Sequence, residues 1–389
     1  MKVRIEDEEF IQRIKNTQKA MKEVDLDILL AYGNEAEPQF VRYYSDYWPS
    51  FESAGVLIPA EGEAILIIGP ESGTFSKYMS RIKKIRRLLS FRESSEPEYP
   101  GERLDTFDTV IKEIMENVPV KRCGIAGIGL ITKNVYDALE KAIPDSEIVK
   151  ADDLVSKLRA KKSQAEIECM KEAYRITSIA MKTVIDGIKP GMTENQLKGL
   201  AVAKIFEEGG EGEAYPFWIL TGKNSNQAIG RCRNKVVQEG DMIQIQVGAR
   251  YEGYASTMGR AVVVGKATDE QRGMIQAALD AQRVILETAR AGVNASEISR
   301  VHYNSLKKDG YDKYILYGPC HGTGLMEGEY PWIESTSDYI LEENMTFCTC
   351  VYLGNDENEV GIRIEDGFMI TKEGTFSFSD YRREVIEIN

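Results

Sequence analysis

Short apolar runs interrupted by turn residues occupy the first part of the chain. Leu26–Ala31, Ala54–Ile58 and Ala64–Ile68 are rich in Ile, Leu and Val and are punctuated by Gly33, Pro59 and Gly62, which is the pattern of strands. Ile125–Ile131 reads as a further strand, and Asn134–Ala142 as a helix closed by Pro144. This alternation predicts a mixed sheet covered by helices, an α/β arrangement. The basic stretch Lys77–Arg92 reads as the solvated face of a helix.

Near residue 155 the pattern changes to long amphipathic helices. Ser163-x-x-Glu166 is a capping box, in which each side chain satisfies the other residue's unpaired backbone N–H. The helix it opens is predicted to run to about Ile188, before Pro190. Gly191-Met192-Thr193-x-x-Gln196 opens a second helix that continues to Gly209. The same phrase returns 101 residues later (292 − 191) as Gly292-Val-Asn-x-x-Glu, ending at Gly310, with Ala180 matched by Ala281 and Val184 by Ile285. Turn glycine, cap, capping-box partner and apolar face fall in register, so two similar helix–turn–helix units are expected around one pseudo-symmetric core. Strand-rich segments, Tyr215–Val264 and Tyr314–Thr371, follow the two units, and a ligand pocket is expected where the halves meet. The length of 389 residues suits two domains, 1–155 and 156–389.

Composition narrows the function classes. Acidic residues number 62 against 49 basic ones, a net charge of −13, which repels nucleic acid and anionic membranes, so neither is expected as a partner. The apolar runs fall far short of the ~20 residues of a membrane span. The N-terminus, Met1-Lys2-Val3-Arg4 followed by acids, has no apolar core of a secretory signal, so a cytoplasmic location is expected. The six dispersed cysteines read as reduced thiols, and the two histidines, His302 and His321, exclude chemistry that needs several imidazoles at one site.

Several phrases carry a family resemblance. Gly240-Asp241 through Gln246, Gly248, Gly253-Tyr254, Ser256-Thr257 and Arg260 resembles the strand–turn–strand of the creatinase, aminopeptidase P and prolidase family of "pita-bread" enzymes. His321-Gly-Thr-Gly324-Leu with Glu329-Tyr-Pro331, and Gly361-Ile-Arg363-Ile-Glu365-Asp366-Gly, resemble two further signatures, and Leu158-Arg159 to Glu166-Ile167 looks like the domain junction. Val41-Arg-Tyr-Tyr-Ser45 looks like part of the family's N-terminal domain. The resemblance implies a creatinase-like α/β domain followed by a pseudo-two-fold pita-bread domain. It also implies a homodimer, in which the segment around Trp48–Glu52 would serve as a lid on the neighbouring subunit's site.

Family peptidases hold two metal ions with two Asp, one His and two Glu, since neighbouring divalent cations need bridging carboxylates. The matching positions here are Gln246, Thr257, His321, Cys350 and Glu365, so both aspartates and one glutamate are replaced. The substrate-contacting His of the family falls at Gly328 and another at about Ile229. Creatinase cleaves a C–N bond without metal, but its supporting glutamates fall at Gly259 and Cys350. A dinuclear peptidase and a creatine hydrolase are therefore both disfavoured, and no cofactor is expected.

Three readings of the pocket stand. His321 could act as a base toward a small amide or the thiol of Cys350, oriented by Glu365; His321, Cys350 and Glu365 could hold a single zinc ion; or the pocket could be a non-catalytic ligand- or protein-binding remnant. An Xaa-Pro peptidase with an altered metal site is the remaining alternative. The first reading leads: a metal-independent hydrolase or lyase for a small polar C–N substrate, with Gln246, Thr257, Arg363, Tyr254 and Trp218 contacting it. Arg260 could equally clamp a carboxylate or pair with a structural acid, and His302 reads as structural.

Overall fold

A computed structural model describes residues 3–388, which form two compact units, one of residues 5–159 and one of residues 160–388 together with residues 3 and 4. In the first unit the strands are β1 (Ile28–Gly33), β2 (Ala54–Pro59), β3 (Ile65–Ile68), β4 (Ile85–Arg87), β5 (Arg122–Ala126) and β6 (Glu147–Lys150). They form one mixed sheet in the order β4-β3-β2-β1-β5-β6, antiparallel only where β2 meets β1 and β3. Every residue of β1, β2 and β3 is buried, which is why these strands read as unbroken apolar runs. Ile28, Leu30, Ile65 and Ile67 share a core with Phe107 and Val110 of α4 (Phe107–Ile114) and Val135 and Leu139 of α5 (Lys133–Ala142); the preceding helices are α1 (Asp7–Glu23), α2 (Gln39–Ser45) and α3 (Gly73–Met79).

Two local expectations fail here. Ile125–Ile131 is not a continuous strand: β5 stops at Ala126, and Gly127, with φ +91°, turns the chain away. Lys77–Arg92 is not a helix face, because only α3 enters it and β4 follows. Its charges meet acids brought from elsewhere: Arg86 with Glu113 at 2.7 Å, Arg87 with Glu102 at 2.7 Å and Arg81 with Asp46 at 3.1 Å. Local periodicity carries no trace of such distant partners.

The second unit follows α6 (Asp152–Ala160) and begins with α7 (Gln164–Gly187) and α8 (Glu194–Glu207), both opened by the expected capping boxes. Its later helices are α9 (Asp269–Thr288) and α10 (Ala295–Lys308). α8 and α10 are the same length and 101 residues apart (295 − 194), and their turn glycines Gly191 and Gly292 have φ +92° and +89°. The repeat is real but one part of it differs: Asn294 is a cap without a box. Its short amide reaches the N–H of Ser296 at 3.0 Å, while Glu297 pairs with Arg300.

Eleven of the strands in this unit are labelled in chain order β7 (Gly212–Glu213), β8 (Ile219–Thr221), β9 (Met242–Val247), β10 (Ala249–Tyr251), β11 (Tyr254–Ala255), β12 (Met258–Val264), β13 (Cys320–Gly322), β14 (Glu329–Ile333), β15 (Thr346–Asn355), β16 (Val360–Ile370) and β17 (Thr375–Ser377). The large sheet runs β14-β13-β15-β16-β12-β9-β8, and β15 and β16 pair over ten residues at its centre. Successive side chains alternate between faces. Thr349 and Asp366 point to the side where Gln282 of α9 meets them at 2.9 and 3.2 Å, so Cys348, Cys350 and Glu365 point to the other.

His302 is buried on α10, and burial depresses its imidazole to about 4. Because the folded form resists protonation while the unfolded form takes a proton near pH 6.5, stability is lost as the pH falls from about 6.5 to about 4. The loss sums to about 3 kcal/mol. Urea unfolding of wild type and His302→Gln at pH 7 and pH 4 should show this difference in the wild type alone; parallel losses would contradict it.

Candidate active site

The register of the sheet brings the site residues together. His321 on β13 lies opposite Cys348 on β15, Cys350 lies opposite Glu365 on β16, and Gly259 of β12 pairs with Glu365 on one side and with Gln246 of β9 on the other. One ligand-type atom from each of His321, Cys350 and Glu365 falls within 4.8 Å of the others. All three side chains are buried.

His321 is held by its neighbours. Its Nδ1 is 3.0 Å from the carbonyl of Gly322, and its Nε2 is 3.4 Å from Glu327 Oε1 and 3.7 Å from Glu365 Oε1. Burial works against the imidazolium, but Glu327, Cys350 and Glu365 outweigh it and hold the imidazole well above its ordinary value. In return, although burial opposes ionisation, His321 keeps the Glu327 carboxyl below its usual range. At neutral pH the ring is therefore a proton donor.

Cys350 Sγ is 3.4 Å from Arg363 Nη1 and 3.4 Å from the hydroxyl of Tyr317. Arg363 is caged by the rings of Trp218, Tyr317 and Tyr352, whose centroids lie 5.3, 5.6 and 5.7 Å away, and it donates to the carbonyl of Ala228. These three rings form an aromatic box that is filled by the protein's own guanidinium. Burial pushes the Cys348 thiol well up, so it stays a neutral donor to Glu365 Oε1 at 3.2 Å.

Gln246 Nε2 donates to Thr257 Oγ1 at 3.0 Å, and Tyr215 OH meets the same oxygen at 2.9 Å. Trp218 stands behind this layer, donating to Gln244 at 2.9 Å. Two residues fall outside the group. Tyr254, expected to contact substrate, gives its hydroxyl to Glu166 Oε1 at 2.7 Å and so anchors the start of α7. Ile229, aligned with a family histidine, is 84% exposed. Arg260 takes the structural role, pairing with Asp366 at 3.0 Å. Glu327 was missed: it follows β13 next to Gly328, and its one sequence signal is an acid just before the position of the family's histidine.

These residues do not fit a pair of metal ions. Gln246 and Thr257 are neutral and already bonded to each other, Glu365 is the one carboxylate at the five mapped positions, and the Arg363 guanidinium lies 3.9 Å from its Oε2. Two adjacent divalent cations would face each other and Arg363 with too little negative charge between them. The trio His321, Cys350 and Glu365 could approach one ion, with Arg363 as an opposing charge.

A pseudo-symmetric pita-bread unit that follows a six-stranded α/β unit along the chain defines the creatinase and prolidase class of folds. The family model of metallopeptidase family M24 matches residues 168–372, and that of the creatinase/prolidase N-terminal domain matches 13–161. The chain belongs to metallopeptidase family M24, as the resemblance read from the sequence implied. It is 28% identical over 333 residues to an Xaa-Pro dipeptidase of Pyrococcus horikoshii, covering 84% of this chain and 89% of that one. It is 26% identical to the Xaa-Pro dipeptidase of Pyrococcus furiosus, covering 96% and 99%. Among solved structures, an X-Pro aminopeptidase from Thermotoga maritima superposes with a TM-score of 0.83 at 25% identity, covering 96% and 99%. Among the described residues no helix is long and apolar enough to cross a membrane.

Proposed function

We propose that this protein is a metal-independent C–N hydrolase built on the M24 scaffold, acting on a small polar amide, guanidino or amino-acid-like substrate. The observation that carries the reading is the convergence of His321, Cys350 and Glu365 around an imidazole that its neighbours keep protonated. This is a nucleophile, a proton carrier and an orienting acid within reach of one another.

In the proposed cycle His321 starts protonated; Cys350 gives its proton to the Glu365 carboxylate beside it and its sulfur attacks the electrophilic carbon, forming a C–S bond. His321 passes its proton to the leaving nitrogen as the C–N bond breaks. The neutral imidazole next takes a proton from water, whose oxygen displaces the sulfur, and Glu365 returns its proton to restore the thiol. Glu327 and Glu365 keep the ring in place. Tyr317 and Arg363 face the sulfur and can balance negative charge as it develops there.

The test pairs metal analysis with a substrate screen. Untagged protein purified without chelator, after supplementation with zinc, manganese, cobalt and iron, is expected to hold no stoichiometric metal. It is expected to turn over a small amide or guanidino compound with no sensitivity to a chelator. Two metals per chain with Xaa-Pro cleavage would overturn the reading in favour of a peptidase. One metal would favour a mononuclear His321, Cys350 and Glu365 centre, and ligand binding without turnover would favour a binding module.

A further inference from the structure

We infer that the pocket takes an organic cation bearing several N–H bonds, an ammonium or amidinium group, in a cradle formed by Gln246 Oε1 and Glu365 Oε2 above Gly259. Both side chains are fully buried, and neither of these two oxygens accepts a hydrogen bond within the protein. Buried acceptors left unpaired are costly, and two from the strands that flank β12 call for a common donor.

The rest of each side chain is committed. The amide nitrogen of Gln246 is given to Thr257 at 3.0 Å. Oε1 of Glu365 faces His321 at 3.7 Å and Cys348 at 3.2 Å. Arg363 Nη1, at 3.9 Å from Glu365 Oε2, is beyond hydrogen-bond length. What is left over is one neutral and one acidic acceptor.

The backbone between them is bare. Gly259 pairs with Gln246 on one side and Glu365 on the other, and its φ does not demand glycine. A Cβ there would stand 2.6 Å from Gln246 Oε1 and 2.9 Å from Glu365 Cβ, so a side chain at this position would displace the two acceptors. Two unpaired acceptors, one of them a carboxylate, select a cation that can donate. A quaternary ammonium has no hydrogen to give.

The inference deepens the proposed function and rests on it only for the identity of the pocket, since it is read by binding alone. Isothermal titration of the full chain with acetamidinium and methylammonium should show binding of at least one of them. Tetramethylammonium and neutral acetamide should not bind. Gln246→Met, which keeps the length and removes the acceptor, should weaken the binding by about tenfold or more. Gly259→Ala should abolish it, and should that variant fail to fold, Gln246→Met decides alone. No binding of either cation, equal binding of tetramethylammonium, or affinity unchanged in Gln246→Met would overturn the inference. Binding that depends on Gln246 in a protein without turnover would leave it standing while the catalytic reading falls; turnover without such binding would do the reverse.

Discussion

Asp366→Ala is expected to lower the stability of the second unit by about 3–5 kcal/mol, because it strands a buried cation. The Asp366 carboxylate accepts from Arg260 at 3.0 Å, from Gln282 at 3.2 Å and from Arg383 at 2.8 Å. Arg260 and Asp366 are both fully buried, so water cannot replace the lost charge. Arg260 would keep the carbonyls of Gly259, Glu365, Tyr381 and Arg382, which offer dipoles but no neutralising charge. Arg383, whose side chain is 30% exposed, sets the contrast: Arg383→Ala should cost only about 1 kcal/mol. Urea unfolding followed by tryptophan fluorescence measures both, and an Asp366→Ala loss no larger than that of Arg383→Ala would refute the account.

Cys350→Ala and His321→Ala are each expected to reduce turnover by about 10³-fold or more, the scale of losing a nucleophile or a proton carrier. A merely structural role is separated by Glu327→Gln. The proton on His321 is held there against burial by Glu327 together with Cys350 and Glu365. Activity in the wild type should persist to a pH well above 6.5 and fall as the pH rises through the folded value of His321. Removing the Glu327 charge should move that alkaline limb to lower pH, with the acid limb far less affected. A pH profile unchanged in Glu327→Gln would remove His321 from the proposed role. A Cys350→Ala variant with full turnover would remove the thiol.

Much of this site could be read before any coordinates. Gln246, Thr257, His321, Cys350 and Glu365 lie on or beside paired strands, where an alternation of two fixes which face each side chain takes, so aligned phrases translated directly into neighbours. The capping boxes at Ser163 and Thr193 are equally local and were equally legible. What escaped depends on geometry without a short repeat. Glu327 reaches His321 from a loop, just after a register shift between His321 and Gly322. Tyr254 sits within a site phrase but ends on Glu166, whose Oε2 caps the helix while its Oε1 accepts from the Tyr254 hydroxyl. The acids that neutralise Lys77–Arg92 come from positions far along the chain.

The pairing of β15 with β16 places Glu365 and Asp366, neighbours in sequence, on opposite faces of one sheet. One carboxylate faces the pocket, and the other secures Arg260 and meets Gln282. A slip of one residue along this ladder would exchange them, putting Asp366 beside His321 and leaving Arg260 opposite the wrong side of the strand. Such a misregistered chain would lose its proton-holding partner and its buried counter-charge in the same event. Correct chemistry and correct folding are therefore proofread by a single alignment of two strands.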